Sequence, residues 1–148
     1  MNIQNIMALF DRDLKKLKVE IESYKSENTI WKIDKGINNS AGNLCLHLIG
    51  NLTTYVGLVL GKNPYIRNRE LEFSSKDIPK AVLLSQIEAT QKLVQTSLSD
   101  LTVSDLEQEF PMLVFEKLTS TEYMLIHLTT HLAYHLGQIN YHRRLLDA

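Results

Sequence analysis

Five histidines carry the chemistry that can be read in this chain: His47, His127, His131, His135 and His142. Four of them stand in one C-terminal stretch at spacings of four, four and seven residues. On a helix, at about 100° per residue, that spacing gathers all four rings into a sector of roughly 80°. Gln138 falls in the same sector, and Leu128, Leu132, Leu136 and Ile139 make an adjoining apolar stripe. Imidazoles one turn apart on a helix face are neighbours, and two of them can grip one metal ion. His47 stands far away in the chain, with Leu44, Asn51, Thr54 and Leu58 on its own face. A mostly apolar helix face is an unusual place for an imidazole without a partner. Any one of these histidines alone reads first as a core or rim residue satisfied by hydrogen bonds. A row on one helix together with an isolated histidine on another makes a metal site an equal reading.

The neighbours of the histidines decide which metal site is meant. The segments His127-Leu128-Thr129-Thr130-His131 and His131-Leu132-Ala133-Tyr134-His135 lack the Glu of the HExxH zinc peptidases, so the general base of that chemistry is missing. Di-iron bundles use Glu-x-x-His, but the residues three before the histidines are Leu44, Met124, Leu128, Leu132 and Ile139. Cys45, two residues before His47, projects about 160° away around the helix and reads as a small core filler. The haem-attachment pattern C-x-x-C-H is absent. What remains is an all-imidazole site, suited to zinc, nickel, copper or iron, with positions left for water or substrate. His142 is expected at a frayed, solvent-facing helix end, and Tyr134 and Tyr141 beside the row are expected to serve packing.

Four long helices must position these groups. Ile3, Met7, Phe10, Leu14, Leu17, Ile21 and Tyr24 alternate steps of four and three, a seam for lengthwise packing over residues 2–24. Lys15, Lys16, Lys18 and Glu20 make a solvated outer face. Residues 25–39 are polar, with Trp31 the only large anchor. Asn38, Asn39 and Ser40 offer N-caps for a helix over 40–60, with Gly61 at its C′ position and Pro64 beyond. The long link 61–76 suggests a crossover between helices. Leu83, Ile87, Thr90, Val94, Ser97 and Leu101 mark a third helix over 78–100, starting near Asp77 with Pro79 in its first turn. Residues 102–118 form a loop whose apolar members tuck under the bundle. Thr119 and Glu122 read as a capping box opening the last helix, 119–146. No repeat or linker divides the chain. The expectation is one all-α, four-helix domain over residues 1–148.

The composition is that of an ordinary globular domain. Sixteen Lys and Arg against seventeen Asp and Glu leave a net charge of −1, without the basic excess of a nucleic-acid binder. One cysteine rules out a disulfide framework. Residues 1–13 lack signal-peptide features, and the best apolar run, 44–60, is broken by His47, Gly50, Asn51, Thr53 and Thr54. A soluble cytoplasmic protein, binding neither nucleic acid nor membrane, is expected.

The segment His127-x-x-x-His131-x-x-Tyr134-His135-x-Gly137-Gln138-Ile139 resembles the signature helix of the DinB-like (YfiT-like) metal-binding four-helix bundles. Residues Asn39-Ser40-Ala41-Gly42-Asn43-Leu44-Cys45-Leu46-His47-Leu48 resemble that family's second helix. Arg67-Asn68-Arg69-Glu70-Leu71-Glu72-Phe73 is similar to the Arg…Glu-Phe loop of one branch. The similarity spans essentially the whole chain. It implies a three-histidine site of His47, His131 and His135, with His127 an additional family histidine outside the ligand set. Gln138 could orient a ligand or a bound water, or be a surface residue. Leu136 departs from the pattern, since many relatives carry Arg there; an anion contact made by that Arg would be missing here.

Two functions follow from the resemblance. One is an enzyme, a metal-dependent S-transferase using a low-molecular-weight thiol of the bacillithiol type, or a hydrolase, acting on a small molecule. Zinc or nickel leads, with iron, manganese or copper as alternatives. The other is a non-catalytic, metal-stabilised or metal-sensing bundle in a stress response. Bis-histidine haem binding is a third class, marked by a Soret band. The family's habit implies a homodimer.

Overall fold

A computed structural model describes residues 2–148; their regular structure is helical, with no strand pairing beyond one isolated antiparallel bridge, between Glu109 and Ser120. Helix α1 (Ile3–Glu22) opens on Asn2, whose side chain accepts a hydrogen bond from the Gln4 N–H at 2.9 Å. Its seam is the expected one from Phe10 onward, burying Phe10, Leu14, Leu17 and Ile21. At its N-terminal end Ile6 is buried, while Ile3 and Met7 are half-buried. The polar link that follows holds a short helix, α2 (Glu27–Ile30), anchored by Ile30 as well as Trp31.

Helix α3 (Ala41–Leu52) starts at Ser40, which caps the Asn43 N–H, and runs on as a wider π-wound segment, Thr53–Leu60. The run Ala41–Leu60 is the one helix among the described residues long and apolar enough to cross a membrane, and more than half of it is packed inside the protein. The polar residues read from the sequence as breaks do not interrupt the helix: Asn51 and His47 are buried, and the Thr54 hydroxyl bonds the Gly50 carbonyl. Gly61 is not left-handed as expected (φ −86°), because the π winding closes through Gly61 N–H to the Val56 carbonyl. The left-handed residue comes one later, at Lys62.

The long link carries a further helix, α4 (Arg69–Ser74), capped by Asn68 and laid on α3. Helix α5 (Lys80–Leu98) begins just past Pro79, two residues inside the expected range 78–100; Asp77 is left-handed and outside it. A short α6 (Val103–Glu107) holds the capping box, between Thr102 and Asp105. The box expected at Thr119 and Glu122 is not there. Phe110 N–H bonds the Thr119 carbonyl and Thr121 N–H bonds the Gln108 carbonyl, so extended pairing holds Thr119 and passes the capping role to Ser120. Beneath this loop Leu106 and Phe110 are buried, whereas Met112 and Leu113 stay exposed.

Helix α7 (Thr121–Leu146) is the longest. α1 packs on α5 and α7, α3 packs on α7 and α5, and the π-wound segment packs on α5. Phe10, Leu17, Leu48, Leu52, Leu83 and Leu125 meet in the core, all fully buried. The α3–α7 contact brings the distant His47 against the histidine row.

Candidate metal centre

His47 projects from the middle of α3 and is 6% exposed; His131 and His135 project from α7 and are half-buried. Their ligand-capable nitrogens lie within 4.8 Å of one another. The tightest approach is His47 Nε2 to His131 Nε2, 3.2 Å. A tetrahedral ion holding imidazoles at about 2.05 Å keeps their nitrogens roughly 3.3 Å apart, so this pair already has the required separation. The ring of His135 stands nearly perpendicular to both others, with centroids 4.6 Å from His131 and 5.3 Å from His47.

The hydrogen bonds behind two of the rings, His47 and His135, favour one tautomer of each. His47 Nδ1 lies 3.1 Å from Glu72 Oε1, a carboxylate oxygen that can only accept, so Nδ1 carries the proton and Nε2 presents its lone pair. His135 Nδ1 lies 2.7 Å from Gln138 Oε1, with the same consequence. Gln138 therefore sits where it orients a ring. His131 Nδ1 is buried with no hydrogen-bond partner among the described residues, a costly arrangement for a polar group. Two preset Nε2 lone pairs and a third imidazole aimed at the same point fit a divalent ion of the zinc type. Three nitrogen ligands leave a further coordination position open.

Burial and the proximity of neighbouring rings also disfavour the charged forms of His131 and His47. Desolvation, with His135 and His47 beside it, lowers the His131 pKa from 6.5 to about 4. Desolvation also lowers that of His47, against the opposing pull of Glu72. A pKa lower in the folded state means that the unfolded chain binds more protons below pH 6.5. Stability is therefore full above that pH and lost as pH falls toward 4. For His131, allowing for its partial exposure, the loss is about 2 kcal/mol. Urea unfolding of metal-free protein at pH 7.5, 6, 5 and 4.5 should show this decline.

The remaining residues fall elsewhere. His127 stays outside the cluster, stacked on His131 at 6.2 Å and edge-on to Phe115 at 4.8 Å. His142 is not at a frayed, solvent-facing end. It is 7% exposed, accepting from the Tyr24 hydroxyl (2.7 Å) and donating to the Lys32 carbonyl (2.8 Å). Asp147 ties the same region down by accepting from the Lys25 and Ser26 N–H groups, so the last helix ends inside a knot of contacts. Cys45 is fully buried, its thiol pushed up to about 12 by desolvation, as a core filler would be. Tyr134 and Tyr141 are largely exposed and pack little. His135 and Gln138 help line a cleft of about 680 Å³ whose other walls include Leu44, Tyr134 and the turn at Lys35.

Sequence reasoning about the ligand set passed over Glu72, Arg67 and Phe73. The Phe73 ring lies 4.9 Å from that of His47, and Arg67 bonds Glu72 through two nitrogens, at 2.8 and 3.0 Å. Their signal was the Arg67-to-Phe73 segment, noted for its resemblance but given no role at the site. A family model described as "Protein of unknown function (DUF1572)" matches residues 3–148. No curated protein matches the chain.

Proposed function

The chain belongs to the DUF1572 family, whose description assigns no activity, and we propose that it is a divalent-metal-binding protein of the DinB-like kind: a single four-helix-bundle domain with a crossover connection. Zinc or nickel is the proposed ion, held by His47, His131 and His135. The observation that carries this reading is the 3.2 Å approach of two Nε2 atoms, one of them with its tautomer preset. A bound ion of this type would supply Lewis acidity, lowering the pKa of a thiol or water at its open position. The protein's own part is to hold three imidazoles rigidly, to exclude bulk water from His47, and to offer a cleft from which a small molecule reaches His135.

On this basis the proposed activity is thiol S-transfer to a small electrophile, or hydrolysis. The test is turnover. Metal-loaded protein mixed with a low-molecular-weight thiol and monochlorobimane should form conjugate faster than metal-free protein, and His47→Ala should remove the difference. Equal rates would favour the second reading, a metal-stabilised or metal-sensing protein. That reading draws support from the placement of the ligands on α3 and α7, because an ion there would cross-link two helices from distant parts of the chain. A cytoplasmic homodimer is proposed from the family resemblance. The exposed apolar residues Tyr134, Tyr141 and Leu145 on α7 offer surface for it, and light scattering at micromolar concentration should give twice the chain mass.

A further inference from the structure

We propose that Glu72 is the positioning residue of the site: held by Arg67 and seated over Gly50, its carboxylate fixes the His47 tautomer and aims Nε2 at the metal point. The assignment rests on the metal reading above and adds to it the device that prepares one ligand.

The carboxylate is 6% exposed, and a carboxylate so deeply buried is retained only with partners. Its three are all accounted for: Arg67 Nε on Oε2, Arg67 Nη2 on Oε1, and His47 Nδ1 on Oε1. The backbone that delivers it is clamped separately. Asn43 Nδ2 donates to the Glu72 carbonyl at 3.0 Å and to the Ser75 carbonyl at 2.8 Å, pinning α4 to the first turn of α3. Gly50 supplies an independent sign. A Cβ there would collide with Glu72 Oε2, so the carboxylate occupies the space a side chain would take. Glycine inside a helix is destabilising relative to alanine, and nothing in its backbone conformation calls for it at this position. Room for the carboxylate is the reason the contacts supply.

A clasp that served stability alone would need no charge, since a buried ion pair is weak support for a fold compared with apolar packing of the same volume. The carboxylate adds direction. With Oε1 accepting from Nδ1–H, His47 is held in the tautomer whose Nε2 is a bare ligand. Arg67 keeps the carboxylate in place through its two hydrogen bonds. His135 receives the neutral counterpart of this support from Gln138. His131 receives none.

The test reads the tautomer directly in metal-free protein, by long-range ¹H–¹⁵N NMR of the imidazoles, and the affinity by competitive zinc titration. Wild type should show His47 protonated at Nδ1. Glu72→Ala should shift it toward the Nε2–H form and weaken zinc by about 10–100-fold, with the isosteric Glu72→Gln falling between. His142→Ala, which removes a buried ring bonded to Tyr24 and Lys32 and not to the cluster, should lower the melting temperature yet leave the tautomer unchanged and zinc affinity within about threefold. The proposal is overturned if His47 keeps Nδ1–H in Glu72→Ala, or if His142→Ala costs as much affinity as Glu72→Ala does. Should Glu72→Ala not fold, Glu72→Leu, which fills the space without an acceptor, decides. If the tautomer responds to Glu72 but wild type binds no zinc, the metal reading fails and the positioning role stands.

Discussion

His131→Ala is expected to remove zinc binding, with affinity falling by more than about 1,000-fold, beyond the 10–100-fold typical of losing a group behind a ligand. His131 supplies the nitrogen closest to His47, and His135 alone cannot complete a three-point grip with it. The same substitution removes a buried nitrogen that has no hydrogen-bond partner. What is lost in packing is therefore largely offset, and the metal-free variant should unfold within about 1 kcal/mol of wild type at pH 7.5. Its stability should also decline less between pH 6.5 and 4, because the group with the most depressed pKa is gone. Isothermal titration with zinc, paired with urea unfolding at two pH values, reads all three effects. A variant that still binds zinc tightly would show that the ion, if any, sits elsewhere.

His142→Ala should behave in the opposite way. Its ring is buried between the Tyr24 hydroxyl and the Lys32 carbonyl, and removal leaves both groups without their partner and opens a cavity. The cost is about 2–3 kcal/mol, a fall in melting temperature of roughly 5–10 °C for a chain of this size. Zinc affinity should stay within about threefold, since His142 lies two helical turns beyond His135 and shares no partner with the cluster. Differential scanning calorimetry and zinc titration on one preparation separate the two readouts. One histidine of the row is thus expected to serve binding at little cost to stability, and another stability without binding.

The difference between these two rings shows how far spacing can be read. Helical spacing placed four imidazoles on one side of α7, and steps of three and four located α1 and α5, because both patterns are local properties of a helix. Whether a ring on that side meets another imidazole, a tyrosine or solvent depends on what crosses it. α3 crosses at His131 and His135, while the α1–α2 junction covers His142, and no local pattern encodes that choice. Glu72 escaped for the same reason. It stands on a short helix inside a link, 25 residues after His47, and becomes a partner only once Asn43 has pinned α4 to α3. The capping signal at Thr119 and Glu122 was a valid local motif overridden by pairing with residues 108–110, and the glycine expected to turn left-handed was displaced by a π winding that periodicity does not reveal.

The central claim, one divalent ion on three imidazoles from two helices, is tested most directly by anomalous diffraction at the zinc edge from crystals of the zinc-loaded protein. The account predicts a single strong peak about 2.0–2.1 Å from an imidazole nitrogen of each of His47, His131 and His135. A peak at His127 or His142 in place of one of them, or no peak in crystals grown with excess zinc, would contradict it.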